Sequence, residues 1–225
     1  MKICLMLHGL GRPPPHVCDD EARYWLPAKK FARLLEHVQR ARHPVQITID
    51  DGNESDVTVA LPALLAAGLS ASFFIPSDRI GEEGYVSEAN VRALHAAGME
   101  IGSHGCAHIT WTEVSDEAIA EDVIRSIGRL SDILGERVNT VAVPYGECDL
   151  RVLQVLRHLG IARVYTSFPG LAADGAWLVR RHCITADMPD AAFDHLLTKN
   201  YSAVDAAMAF LRTWRHAGRA TLWTE

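Results

Sequence analysis

Val45-Gln46-Ile47-Thr48-Ile49-Asp50-Asp51-Gly52 is the stretch on which the reading of this chain turns. β-Branched residues at 45, 47, 48 and 49 mark a strand, and the apolar ones among them mark it as buried. The strand runs straight into two adjacent carboxylates. At the end of a buried strand two such groups lose hydration and repel each other. A bound cation would relieve both costs. The plainer alternative is a simple turn, since Asp-Gly is common there.

Working outward, short apolar runs recur on both sides of this strand. Candidate strands are 2–8, 45–50, 71–75, 99–104, 139–143, 162–167 and 177–184. Amphipathic stretches near 27–40, 57–67, 87–97, 116–134, 149–159, 190–199 and 202–216 read as helices. Ser87, Ser115 and Asp149 stand as N-caps or acidic first turns. Gly68, Gly98, Gly135 and Gly160 stand where a helix end favours a left-handed residue. Seven strands alternating with helices predict an α/β fold with a largely parallel sheet. Arg12-Pro13-Pro14-Pro15 is too short for a linker and reads as a rigid loop. With no repeat or low-complexity tract, residues 1–225 are expected to form one domain. A barrel carries its functional residues on the loops after its strands, so polar residues at strand ends become the candidates.

Bulk properties narrow the class. A chain of 225 residues, 48% hydrophobic, suits one domain with a full core. A formal charge of −6 and a pI near 6.0 give no whole-molecule attraction for nucleic acid or an anionic membrane. No apolar run reaches the roughly 20 residues that span a bilayer. The run Ile3-Cys4-Leu5-Met6-Leu7 ends at His8-Gly9 without a cleavage site, so it reads as a strand rather than an export signal. Cys4, Cys18, Cys106, Cys148 and Cys183 are odd in number and form no C-x-x-C, which argues against a disulfide framework. A reducing, cytoplasmic location is expected.

The candidate strand 99–104 continues as His104-Gly105-Cys106-Ala107-His108. Two histidines four apart can face the same side of a turn, and imidazole is a preferred zinc ligand. In a chain with 11 histidines such a pair alone is weak. Joined with Asp51 it gives one carboxylate and two imidazoles, a set that leaves a coordination position open. Cys106 lies between the ligands and reads as incidental. Strand 139–143 leads into Pro144-Tyr145-Gly146, either a plain turn or a loop offering a backbone N–H.

Taken in order, these segments resemble the motifs of the polysaccharide deacetylase (NodB-homology) family, carbohydrate esterase family 4. Thr48-Ile49-Asp50-Asp51-Gly52 resembles its Thr-Phe-Asp-Asp-Gly motif. His104-Gly105-Cys106-Ala107-His108 resembles His-Ser/Thr-x-x-His, and Ala142-Val143-Pro144-Tyr145-Gly146 resembles Arg-x-Pro-Tyr/Phe. Similarity covers residues 1–185. The resemblance implies a distorted (β/α)7 barrel in a single domain. It implies Asp51, His104 and His108 as metal ligands, Asp50 as general base and the Tyr145 backbone N–H as an oxyanion donor.

Two departures stand out. Ala142 occupies the place of the motif arginine, which in the family orients the base. Arg181, on the last strand, is the expected substitute, with Arg180 as the alternative because neighbouring strand residues face opposite ways. The family's C-terminal Leu-x-x-His acid is not evident either. His195 lies on a helix-like stretch and His216 near the end of another. His8 ends the first strand, and some family members resemble a permuted order in which that strand supplies the histidine. Tyr24-Trp25-Leu26-Pro27-Ala28-Lys29-Lys30-Phe31 resembles the entry to their first helix. His8 is therefore assigned as general acid, imidazole being the side chain that most often moves protons in catalysis. Trp111 is expected either to stack on a sugar face or to sit in the core.

The implied function is metal-dependent hydrolysis of the acetamido group of an N-acetylated amino sugar in a glycan or glycoconjugate. Zinc is the default ion, with cobalt, nickel or manganese compatible. Another amide hydrolase on the same scaffold, such as a deformylase, and a metal- or glycan-binding pseudoenzyme are the alternatives. The partner is the sugar substrate, with no nucleic acid and no membrane span; the oligomeric state is left open.

Overall fold

A computed structural model describes residues 1–15 and 17–201. The expected helix at 202–216, and His216 with it, lie outside the described residues. The apolar runs do form strands: β1 (Ile3–Leu7), β2 (Val45–Asp50), β3 (Ala71–Ile75), β4 (Glu100–Ser103), β5 (Thr140–Ala142) and β6 (Arg163–Tyr165). The expected seventh strand divides into β7 (Leu178–Val179) and β8 (His182–Cys183). All pairings are parallel, in the order β7-β6-β5-β4-β3-β2-β1-β8.

This order has a geometric consequence. Eight strands laid flat would put the outer two about 34 Å apart at roughly 4.8 Å per strand. Yet β7 and β8 are the outer strands and only Arg180 and Arg181 separate them in the chain. Three peptide steps reach at most about 11 Å. The sheet must therefore curl on itself, with the arginine pair bridging the seam. This is the expected distorted barrel, its last strand split at the closure.

Period-2 alternation sorts side chains between the barrel interior and the helix layer. Ile3, Leu5, Leu7, Ile47, Ile49, Phe73 and Ile75 face outward into the main core. They meet α2 (Ala28–Gln39) through Phe31, Leu34, Leu35 and Val38, and α3 (Leu61–Ala67) through Leu64. A π-helical turn, Asp56–Ala60, leads into α3. The opposite parity, Cys4, Phe74, Ala142, Tyr165 and Val179, fills the interior. Below it the Gln46 amide donates to Ser72 Oγ (3.0 Å) and Tyr165 Oη (2.9 Å).

The caps fall as expected. Ser87 and Asn90 close a capping box on α4 (Glu88–Ala96), Ser115 accepts from Ala118 N on α5 (Asp116–Leu134), and Asp149 accepts from Val152 N on α6 (Leu150–His158). Two more described helices are the short α1 (Asp19–Ala22) and α7 (Asp190–Thr198). No described helix is long and apolar enough to cross a membrane.

Candidate active site

The strand-end carboxylates meet the histidine pair at the C-terminal mouth of the barrel. Asp51, His104 and His108 offer ligand atoms that all lie within 4.8 Å of one another. His108 Nε2 is 3.3 Å and His104 Nε2 3.6 Å from Asp51 Oδ1. The loops are bent hard to achieve this. Asp51 (φ 81°), His108 (φ 54°) and Tyr145 (φ 57°) are the non-glycine residues with left-handed backbone among those described, and all three line the site. Strained backbone of this kind is held where surrounding structure over-determines it. Gly52 (φ 65°) extends the left-handed turn that starts at Asp51.

The donor set fits a divalent cation. His104 Nδ1 hydrogen-bonds the Ala142 carbonyl at 2.9 Å, as a donor, which leaves the Nε2 lone pair for a metal. Burial first, and neighbouring His104 second, push His108 down to about 3, so its ring is neutral, as a ligand must be. Asp51 Oδ1 is buried without a hydrogen bond among the described residues. Asp51, His104 and His108 would hold the ion.

Asp50, on the interior face of β2, points into the same space, with Oδ2 3.8 Å from His104 Nε2. Arg181 enters from the seam between β7 and β8. Its Nη1 donates to Asp50 Oδ1 (2.7 Å) and Thr48 Oγ1 (3.0 Å), and its Nε to the Thr166 carbonyl (3.1 Å). Burial works to raise the Asp50 carboxyl, but Arg181, by charge and hydrogen bond, and His104 hold it below the usual carboxylate range. Arg180, the alternative, reaches instead toward the Pro169 carbonyl. Arg181 is thus the arginine that meets the base.

His8 lines the cavity with the ligands, its ring 5.1 Å from that of Tyr24. A Cβ at Gly9 would come within 2.1 Å of the Trp25 ring, so glycine is needed for Trp25 to close the wall behind His8. Of the other histidines, His182 accepts from Gly170 N and His195, the other described candidate acid, is exposed on α7; neither lines the cavity. Tyr145 packs its ring 4.4 Å from that of His108 and leaves 60% of its surface open.

Trp111 corrects an expectation. It is fully buried among Ile119, Val123 and Val152, and its indole N–H donates to Asp122 Oδ2 at 3.0 Å. Its face is not available to a sugar, because the ring packs under the histidine loop.

Asp122 is the residue the sequence reading missed. From α5 it accepts Cys106 N (3.0 Å), Ala107 N (3.3 Å) and Trp111 Nε1, and so clamps the loop between the two histidines. A signal existed: Asp122 sits on the apolar stripe of Ile119, Val123, Leu130 and Ile133, where a carboxylate must have partners.

A sequence model for polysaccharide deacetylases matches residues 37–164, more than half of the chain. The chain belongs to the polysaccharide deacetylase family. This polysaccharide deacetylase family member is 22% identical over 177 residues to YxkH of Bacillus subtilis, named as a candidate polysaccharide deacetylase. That match covers 78% of this chain and 63% of YxkH. It is 24% identical over 123 residues to chitin deacetylase 1 of Cryptococcus neoformans, covering 54% of this chain and 25% of that protein. The chain thus spans less than two thirds of the length of either relative. Among solved structures, Streptococcus pyogenes deacetylase PplD, in complex with acetate, superposes with a TM-score of 0.77 at 18% identity, covering 88% of this chain and 98% of that one. IcaB from Ammonifex degensii gives 0.72 at 21% identity, covering 86% and 95%. These likenesses establish the fold as the family's distorted barrel.

Proposed function

We propose that this chain is a metal-dependent N-deacetylase that hydrolyses the acetamido group of an amino sugar in a glycan or glycoconjugate. The observation that carries the reading is the convergence of Asp51, His104 and His108 within 4.8 Å, with Asp50 beside them locked by Arg181. A divalent cation at this triad, zinc by the donor set with cobalt, nickel or manganese compatible, supplies Lewis acidity to water and the acetyl carbonyl.

The chain's own residues supply the proton transfers. Arg181 occupies Asp50 Oδ1, which leaves Oδ2 to take a proton from the attacking water. Tyr145 is the middle residue of the turn Pro144–Gly146, where a backbone N–H has no partner within the turn and can donate to the developing oxyanion. His8 gives a proton to the amine as the C–N bond breaks, and acetate leaves with the carbonyl carbon.

The test is acetate release from N-acetylglucosamine oligomers by metal-loaded protein, with N-formyl and non-sugar amides in parallel. Asp50→Asn should retain the metal and lose about 10²–10⁴-fold in kcat, the usual worth of a positioned base. His8→Ala should lower turnover by a similar order while metal occupancy holds. Turnover confined to non-sugar amides, or an unchanged rate in Asp50→Asn, would sink the reading.

A further inference from the structure

Among the described residues, Arg79 is the one arginine or lysine that lines the cavity of about 340 Å³ above the metal triad. It ends the turn Ser77–Arg79 that follows β3. That turn is stitched to the histidine loop: Ser77 N donates to the Gly105 carbonyl at 3.0 Å and Asp78 N to the Cys106 carbonyl at 3.1 Å. The guanidinium lies over the Tyr85 ring, 5.0 Å from its centroid, and Tyr85 is bridged through its backbone to Asn53. Side chain and backbone are therefore both placed.

What Arg79 lacks among the described residues is a hydrogen-bond acceptor. The side chain is 28% exposed, and its nearest carboxylate oxygen, Asp51 Oδ1, is 3.9 Å away, beyond hydrogen-bond reach. A guanidinium presents five N–H donors in a fixed fork that matches a carboxylate or phosphate bidentately. The other charges nearby are engaged or hydrated. Asp50 belongs to Arg181, Asp51 to the ligand triad, and Glu21 on the wall is exposed.

Resting on the deacetylase reading, we propose that Arg79, held on Tyr85, is an anion-recognition subsite. The sugar unit that enters the cavity, or the one joined to it, carries a carboxylate or phosphate that takes the guanidinium fork. A glycan of uniformly neutral units would leave that fork unmet.

The experiment separates this from the deacetylase reading. Binding is measured by calorimetry on metal-loaded Asp50→Asn protein, with three matched oligosaccharides: neutral, carboxylate-bearing and phosphate-bearing. Acetate release from the same three is measured on the protein with Asp50 intact. We expect one anionic ligand to bind at least tenfold tighter than the neutral one, and the tighter of the two identifies the group. Adding Arg79→Gln should collapse that preference to within about twofold, and Arg79→Lys should restore a part of it. Equal affinity for all three, or an Arg79→Gln loss that is the same for neutral and anionic ligands, overturns the subsite; Arg79 then only balances Asp51. Preferential anion binding with no acetate release from any sugar leaves the subsite standing and removes the deacetylase reading instead.

Discussion

At the residue scale the decisive pair is Asp50 and Arg181, both almost without solvent contact. A buried ion pair is a poor source of net stability, but removing one partner strands the other. Arg181→Met should therefore cost about 3–5 kcal/mol in denaturant unfolding as well as turnover. Adding Asp50→Asn should return much of the stability and none of the activity; a double variant as unstable as the single would refute the pairing argument. Asp56 makes a second case. It is fully buried and neither oxygen finds a partner among the described residues. Burial, then the charges of Asp51 and Asp50, push its carboxyl well above the usual range. The folded protein thus keeps a proton that the unfolded chain releases near pH ~4, and stability falls as pH rises from there toward the raised native pKa. In metal-free protein Asp56→Asn should be more stable than its parent at neutral pH, with the gap closing toward pH ~4. A gap that does not vary with pH would count against it. Asp50, Asp51, His104 and His108 were legible as candidates because they stand at strand ends in segments that resemble the family's motifs. The choice between Arg180 and Arg181 was not, since an arginine pair reads the same on either face until strand parity is known.

At the scale of elements, the histidine loop is held from behind by α5. Asp122 accepts three N–H groups of that loop, and Ser126 Oγ lies 2.7 Å from Ser103 Oγ at the end of β4. Groups that orient metal ligands typically contribute about 10–100-fold in metal affinity. Asp122→Ala should weaken metal binding by that order, with Asp122→Asn between the two, since its amide oxygen still accepts. Titration with a competing chelator checks this, and unchanged affinity in Asp122→Ala would show the loop to be self-supporting. Periodicity predicted α5 nearly to the residue, because nineteen residues give a long amphipathic signal. The place of Trp111 stayed open, because its amphipathic ring suits a sugar face and a buried hydrogen bond equally well. Periodicity ran β7 and β8 together, because Leu178-Val179 and His182-Cys183 share an apolar β character that conceals the break between them.

At the scale of the whole molecule, the site is assembled from β1, β2, β4 and the β7–β8 seam, so occupancy of the triad should report on the entire fold. A ligand that binds only the folded state stabilises by about 2.7 kcal/mol at one hundred times its Kd. Zinc added to chelator-treated protein should raise the melting temperature, and the rise should be absent in a His104→Ala, His108→Ala double variant. A rise that survives that variant would place the ion elsewhere. The sequence by itself determined the α/β class and most of the described strands and helices, and it singled out Asp50, Asp51, His104 and His108 as candidates. The elements follow from local signals, hydrophobic period and caps, and the four residues from strand-end position together with the resemblance of their motifs to the family's. Tertiary structure alone decided that Arg181 reaches Asp50, that His8 shares the cavity, that Trp111 is core and that Arg79 stands over the site. Each of those is a relation between distant segments, created when the sheet curls until its outer strands β7 and β8 approach, and no local pattern records it.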